Sequence, residues 1–189
     1  MKKLVKEAQA GDVEAFGEIF KQTNKRIYNF LLHLSSDSEL AADLTQETFI
    51  RAFKSLGSLK SNKAIVSWLH RIALNLYRDE MKKPRIYAES IDHNPFSDDE
   101  IDDAAMEIED WTNNPDRITT DKELQSIARE AISSLPEIHR AVVIMHHIEG
   151  MEVGEIAKVL KIKSGTVMSR LARARETLKR KLAFYVGDK

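Results

Sequence analysis

Cysteine is absent from this chain of 189 residues. Its absence excludes a disulfide-stabilised scaffold and a thiolate zinc site, and it fits a reducing cytoplasm. Apolar runs are short as well, and none approaches the roughly 20 residues of a membrane-spanning helix. The basic start is followed by Gln9–Asp12, which interrupts the apolar segment that a signal peptide needs. We therefore expect a soluble, cytoplasmic protein without membrane insertion.

Glycine and proline are also few, with seven and four residues respectively. Three of them fall where a helical pattern stops: Gly11 after the first, Pro84 after a later one, and Gly150 before the last two. No segment shows a convincing strand alternation or an internal repeat. The sequence therefore predicts an all-α fold, and its length leaves room for one or two compact domains.

Charge is segregated along the chain, although the formal net charge is only −1. Residues 86–116 contain eleven acidic side chains and no lysine or arginine, and the blocks on either side are basic on balance. The basic blocks suit a nucleic-acid partner, which would repel the acidic segment. Because residues 86–119 also have few aliphatic side chains, we interpret them as an acidic flexible linker between domains at 1–85 and 120–189.

The first domain is expected to contain four helices. Their predicted spans are Leu4–Ala10, Val13–Leu34, Ser36–Ser55 and Ala64–Lys83, with a turn-rich loop over residues 56–63. Ser36 and Glu39 have the spacing of a capping box at the start of the third helix. The apolar pattern predicts that Phe16, Phe20 and Phe53 face the core.

The second domain is expected to contain four more helices, of which the last two form a helix-turn-helix. The first of these two carries an apolar stripe at helical spacing: Val153, Ile156, Ala157 and Leu160. The second begins at Ser164, and its inward positions are Val167, Leu171, Ala174 and Leu178. Its N-terminus offers free backbone N–H groups to a phosphate, and its first turns suit the major groove of DNA. The alternative is a solvated basic helix, since such patterns arise easily in helical proteins.

Four segments in this order resemble the bacterial sigma factors of the extracytoplasmic-function (ECF) class, within the sigma-70 superfamily. They are Gly11–Phe16, Ala42–Phe53, Ser67–Asp79, and Leu135–Glu137 with Ile148–Gly150 ahead of the helix-turn-helix. The resemblance covers nearly the whole chain. It implies a protein that binds core RNA polymerase, reads the −35 and −10 promoter elements, and helps to melt the −10 DNA.

The resemblance places the polymerase-binding surface on the third helix. The residues it implies are Asp43, Gln46, Glu47, Ile50 and Arg51. A mixed charged and apolar face suits a protein partner better than DNA, because carboxylates near phosphate are repelled. The alternative from the residues alone is a solvated face on which Asp43 and Glu47 stabilise the helix dipole.

The resemblance also implies contacts to the −10 element from the 56–63 loop and the helix after it. The residues are Lys60, Asn62, Lys63, His70, Arg71, Asn75 and Arg78. Asn62 suits a base edge, and the two lysines suit backbone phosphate. Trp68 fits either a wedge at the melted duplex or a core stripe, and the core position is the one we favour.

For the −35 element, the resemblance implies contacts from the final helix and the turn before it. The residues are Lys163, Ser164, Gly165, Thr166, Met168, Ser169, Arg170, Ala172 and Arg173. Arg173 is the best candidate for a bidentate contact to guanine. Lys163, Met168 and Ala172 depart from the residues common in the family at those positions.

The sequence predicts a non-catalytic protein with no cofactor and no metal site. The adjacent His146 and His147 point different ways on a helix, and no convergent ligands accompany them. The resemblance implies an anti-sigma partner and a monomer when free. The linker is either a phosphate mimic in the polymerase cleft or a solvated tether. Two alternatives remain: a dimeric helix-turn-helix regulator that acts without core polymerase, and a decoy that only binds an anti-sigma factor.

Overall fold

The computed structural model describes residues 1–59, 61, 64–83 and 121–186. Every regular element in these ranges is helical. In chain order the α-helices are α1 (Lys2–Gln9), α2 (Val13–Ser35), α3 (Ser38–Ser55), α4 (Ile65–Lys82), α5 (Asp121–Ser133), α6 (Glu137–Val143), α7 (Val153–Leu160) and α8 (Ser164–Val186). A 3-10 turn, Leu56–Ser58, follows α3, and a π-helical turn, Ile144–Ile148, continues α6. The all-α prediction is confirmed, and the predicted linker lies outside the described residues.

Helices α1 to α4 pack around apolar side chains that their helical spacing places inward. Ile19, Ile27 and Phe30 of α2 are fully buried, as is Leu69 of α4. Local signals set the helix ends: the Asp12 carboxylate accepts hydrogen bonds from the second and third residues of α2, at 2.9 and 3.1 Å. Such a cap satisfies backbone donors that the first turn of a helix leaves without partners.

Two sequence predictions for this half were wrong. The residue that caps α3 is Asp37, whose carboxylate accepts from Glu39 and Leu40. Ser36 instead ends α2 in the left-handed conformation, at φ 57°. Phe20 and Phe53 do not lie inside the core, since 39% and 50% of their surfaces are exposed.

Helices α5 to α8 form the other half and include the predicted helix-turn-helix. Gly150 ends the π-helical turn at φ 65°, as its predicted role as a helix terminator requires. Helix α7 begins next, where the Glu155 carboxylate accepts from the backbone N–H of Glu152 at 3.3 Å. Ile156 and Val167, one from each helix of the motif, are fully buried. The spans of α7 and of the start of α8 confirm the helix-turn-helix prediction.

The two halves pack directly against each other, because α4 lies on α7 and α2 contacts α5 and α6. Their buried side chains form one continuous apolar core. Arg140 of α6 donates to the carbonyl oxygen of Leu34 in α2 at 2.8 Å, and Tyr77 of α4 donates to the same oxygen at 3.2 Å. Sequence reasoning left this packing open, and the structure shows the halves closed on each other.

Candidate nucleic-acid and protein interfaces

The five predicted polymerase-binding residues share one face of α3. Positions 43, 46, 47, 50 and 51 follow the i, i+3, i+4, i+7, i+8 spacing of a helix surface. Ile50 is 48% exposed, although its side chain is aliphatic. Glu47 and Arg51 pair across one turn, with 2.7 Å between Glu47 Oε1 and Arg51 Nε. The structure therefore brings all five together on an open surface of mixed character.

Beside this face lies an apolar ridge, which we define as Phe16, Phe20, Ile50 and Phe53. The rings of Phe16 and Phe53 meet edge to face at 5.1 Å between centroids. Phe20 packs in the same way on the buried ring of Phe49, at 4.8 Å. The sequence predicts an outward Ile50, but the exposure of Phe20 and Phe53 was missed. A signal was present in the spacing, because Phe53 lies three residues after Ile50 and so falls on the same face of α3.

The predicted −10 residues are divided between two places. Lys60, Asn62 and Lys63 lie outside the described residues. The segment before them is tied to α1, because the Gln9 side-chain amide donates to the carbonyl oxygens of Leu56 and Leu59 at 3.1 and 2.9 Å. Sequence reasoning did not identify Gln9, since the contact joins residues 50 positions apart.

The remaining −10 candidates lie on α4 and face different surroundings. Asn75 is exposed and Arg71 is half-buried. His70 is fully buried, with its Nδ1 at 2.8 Å from the carbonyl oxygen of Val66 and its ring edge to face with Phe30. The side chain of Arg78 is 19% exposed. Trp68 is half-buried and packs on the core, as we favoured.

His70 and Arg78 meet carboxylates from the other half of the molecule. Glu149 Oε2 lies 2.5 Å from Arg26 Nε and 3.4 Å from His70 Nε2. Burial raises the pKa of Glu149, but the nearby His70 and Arg26 outweigh it, so that the net pKa is lowered. The carboxylate is therefore ionised in this contact.

Arg78 is 3.7 Å from Glu137, measured from Nε to Oε1. Burial lowers the pKa of Arg78 to about 10, against the opposing effect of Glu137. Burial also raises the pKa of Glu137, despite the nearby Arg78 and Arg140. Both groups lose hydration free energy on burial, and the attraction between them at 3.7 Å recovers only part of that loss.

The predicted −35 residues surround the start of α8. Those with exposed side chains or backbone are Lys163, Ser164, Gly165, Met168, Ser169, Ala172 and Arg173, while Thr166 is half-buried. Met168 is 56% exposed, although its side chain is apolar. A Cβ placed on Gly165 would meet nothing within 4 Å, so the first turn is open to a close approach. Arg170 is different, because it is buried at 6% exposure.

The described ranges contain no cluster of three or more side chains that could hold a metal ion, and no helix with the length and apolarity to cross a membrane. The two adjacent histidines do not converge on a shared ligand. His146 Nδ1 contacts the carbonyl oxygen of Met151 at 3.0 Å, and the rings of His146 and His147 meet at 4.8 Å.

Comparisons with known proteins match both halves of the chain. Residues 19–85 match the family model of sigma-70 region 2, and residues 125–178 match that of sigma-70 region 4. The chain is 30% identical to the ECF RNA polymerase sigma factor SigW of Bacillus subtilis, over 96% of each sequence.

Two solved structures have a similar fold. One is the sigma factor RpoE in complex with the anti-sigma factor NepR from Bartonella quintana, at 22% identity and a TM-score of 0.66, over 90% of this chain and 98% of that one. The other is CnrH in complex with the cytosolic domain of CnrY, at 21% identity and a TM-score of 0.69, over 96% of each chain.

Proposed function

The chain belongs to the ECF sigma factors of the sigma-70 family, and from that premise we propose which of its surfaces carry each step of the family's work. A member of this family directs promoter-specific transcription initiation with RNA polymerase. The observation that carries the proposal is the open start of α8, where exposed polar and basic side chains surround an unobstructed helix N-terminus.

The start of α8 reads the −35 element in this proposal. Backbone N–H groups near Ser164 and Gly165 bind phosphate, because a helix N-terminus favours anions. Lys163 adds a cation to the same strand. Met168, Ser169 and Arg173 are exposed one to three turns into the helix, where they reach base edges in the major groove.

The exposed face of α3 binds core polymerase. Asp43, Gln46, Glu47, Ile50 and Arg51 combine charge with an aliphatic centre, and the apolar ridge enlarges the surface. Apolar residues at the centre of a polar rim are typical of protein–protein interfaces. Carboxylates at positions 43 and 47 argue against DNA as the partner of this face.

The −10 element is read and melted by Lys60, Asn62 and Lys63 together with His70, Arg71, Asn75 and Arg78 of α4. Asn75 is already exposed, and Gln9 holds the start of the loop. Asn62 hydrogen-bonds an unstacked base, while the basic residues hold the strand by its phosphates.

An anti-sigma factor is the proposed regulator of the free protein. The sigma factor RpoE, which has a similar fold, was solved in complex with the anti-sigma factor NepR. The exposed α3 face and apolar ridge provide a surface for such a partner, in competition with polymerase.

The test is transcription by purified core polymerase, with and without this protein, on fragmented genomic DNA with sequencing of RNA 5′ ends. We expect new start sites that share two spaced upstream elements. Ile50→Glu should abolish them by weakening polymerase binding, while Met81→Glu, an equivalent change at an exposed apolar residue of α4, should not weaken that binding. No new starts, together with a stable dimer by sedimentation, would favour the regulator that acts without polymerase.

A further inference from the structure

The outer face of α8 carries an apolar side chain at the point where the helix is proposed to meet DNA. Met168, in the second turn, is 56% exposed, and among the large apolar side chains of the described residues only that of Val13 is more exposed. A single exposed methionine would need no explanation, because isolated apolar side chains are common on protein surfaces. The neighbours of Met168 on the helix show that it belongs to a larger arrangement.

Small residues flank Met168 along the same face. Gly165 precedes it by three positions and Ala172 follows it by four, so that the three exposed residues form one row on the helix. A Cβ on Gly165 would meet nothing within 4 Å, and Ala172 adds a single methyl group. The thioether side chain therefore projects from a low surface, with room on both sides for the edge of a base pair.

The rotation of α8 about its axis is fixed by the opposite face. Val167 and Ala174 are fully buried there, and Leu171 is 4% exposed. Turning the row away from solvent would bring these apolar side chains into water, at a cost that grows with the apolar area exposed. The row is therefore held outward by the core itself.

Hydrogen-bond donors are scarce along this part of the helix. The side chains of Met168 and Ala172 have none, and the Ser169 hydroxyl already donates to the carbonyl oxygen of Thr166 at 3.0 Å. Arg173 is the exposed residue of positions 168–173 whose side chain offers donors to a base. The reading face thus combines one guanidinium with an apolar row that cannot form hydrogen bonds to base edges.

Charge around the row indicates nucleic acid as its occupant. Lys163 lies ahead of the row and Arg173 beside it, and both are exposed. The backbone N–H groups at Ser164 open the same end of the helix to phosphate. Glu176, exposed one turn beyond Ala172, would be repelled by phosphate, so the contact with DNA ends before it.

Thymine is the base whose edge matches an apolar row. In the major groove it presents a 5-methyl group, which cytosine, adenine and guanine lack. A side chain without donors gains by covering that methyl group, but against the other bases it would leave their polar edges without partners. Methionine is unbranched and flexible, so its side chain can adjust to the position of the methyl group.

We propose that Met168 and Ala172 form a contact site for the 5-methyl group of a thymine in the −35 element. This proposal rests on the proposed −35 role of α8 and names a base that the helix selects there. Arg173 reads a guanine by hydrogen bonds, and the apolar row reads a thymine by its methyl group.

The experiment changes the DNA by one methyl group at a time. Holoenzyme assembled from core polymerase and the full-length protein selects duplexes from a library with a randomised −35 segment. In the best-bound duplex, each −35 thymine is replaced singly by deoxyuridine, which lacks only the 5-methyl group. Cytosine and 5-methylcytosine at the same position, paired with guanine, test the methyl group on a different base pair. Affinities are measured by anisotropy of the labelled duplexes.

The informative protein variant is Met168→Ala, which shortens the exposed side chain without removing buried contacts. Met81→Ala, the same change at an exposed methionine of α4, is the matched control. Because each protein is tested on the same pairs of duplexes, any effect of the methyl group on DNA stacking cancels between the proteins.

Wild-type holoenzyme should bind the deoxyuridine duplex about fourfold more weakly at one −35 position, the effect of withdrawing one buried methyl group, or about 0.8 kcal/mol. At that position 5-methylcytosine should bind about fourfold more tightly than cytosine. In Met168→Ala both ratios should fall toward one, while the preference for guanine at the Arg173 position remains. Met81→Ala should behave as the wild type.

Equal binding of thymine and deoxyuridine duplexes by the wild type at every −35 position would overturn the proposal, as would a selected −35 element without thymine. An undiminished deoxyuridine penalty in Met168→Ala would assign the methyl contact to another residue, which also overturns it. Failure of the proposed function is distinguishable, because holoenzyme would then enrich no −35 sequence and give no new start sites, and both proposals would fall together.

Discussion

The side-chain amide of Gln9 donates to the carbonyl oxygen of Leu59 at 2.9 Å, and so ties the end of α1 to the backbone just before residues 60–63. A second bond from the same nitrogen reaches Leu56 at 3.1 Å. Two donors held by one amide fix the path of the chain as it enters the proposed −10 loop. Gln9 thus fixes the backbone at the entry to the proposed −10 loop.

Gln9→Met should impair promoter melting, because it keeps the length of the side chain and removes both donors. We expect lower permanganate reactivity of −10 thymines in complexes with core polymerase, at unchanged polymerase affinity. Gln9→Lys restores a donor and should recover much of the reactivity. Equal reactivity for wild type and Gln9→Met would show that the contact does not position the loop. The free energy of unfolding should fall by about 1 kcal/mol for each hydrogen bond lost.

Phe53→Ser should weaken core polymerase binding, because the exposed half of this ring contributes apolar area to the α3 surface. Burying an aromatic ring at an interface is worth about 1–3 kcal/mol, which predicts roughly a ten- to hundredfold loss of affinity. The measurement is a titration of labelled protein with core polymerase in the absence of DNA. Met81→Ser is the matched control, and an equal loss in both variants would contradict a specific role for the ridge.

Arg173→Ala and Lys163→Ala should separate base reading from phosphate binding on α8. Loss of a bidentate contact to guanine costs about 1–3 kcal/mol and relaxes specificity at one position of the −35 element. Loss of a phosphate contact instead weakens binding to all sequences. It also lowers the slope of the logarithm of the binding constant against the logarithm of the salt concentration by about one. The two effects are distinguished by measuring the binding of polymerase holoenzyme to a library of −35 variants at two salt concentrations. A uniform loss in Arg173→Ala would reassign that residue to the DNA backbone.

Most of the fold could be predicted from periodicity and end signals in the sequence. Spans such as Val13–Ser35 and Val153–Leu160 are set by apolar spacing and by local caps, and both are short-range properties. The cap of α3 was missed by one residue, because serine and aspartate at 36 and 37 are equally good caps on spacing alone. Phe20 and Phe53 fit the apolar helical pattern, but that spacing alone does not fix how deeply a side chain enters the core, and both rings remain partly exposed.

The packing between the halves could not be predicted, because it depends on contacts between distant parts of the chain. Arg26 and Glu149 are 123 residues apart, and nothing near either residue in the sequence indicates its partner. The sequence predicts separate domains for these two residues, joined by an acidic segment. The family resemblance led to the candidate residues for DNA contact, and only the three-dimensional structure shows that His70, Arg78 and Arg170 are covered.

Acid should destabilise the fold as the pH falls below about 6.5, the pKa of an unperturbed histidine, and His139 should account for part of that loss. Burial lowers the pKa of His139 below its usual 6.5, and the nearby Arg173 and Arg170 lower it further. The pKa values of His33 and His147 are lowered as well, with burial again the main cause. Their contribution to stability is therefore complete above pH 6.5 and is lost as the pH falls toward the folded pKa.

The reason is that the unfolded chain binds protons in this window that the folded chain does not bind. One such group changes the free energy of unfolding by at most about 1.4 kcal/mol per pH unit. Thermal unfolding of wild type and His139→Gln, followed by circular dichroism across the window, should give a shallower pH dependence for the variant. The slopes of the unfolding midpoint against pH are compared, rather than midpoints at one pH, because any constant destabilisation by the substitution then cancels. Parallel slopes would mean that His139 takes up its proton equally well in the folded and unfolded chain, and would assign the acid sensitivity to the other histidines. Glu149 acts in the same direction but at lower pH, because its pKa is lowered from 4.5 and its contribution to stability is lost as the pH falls below that value.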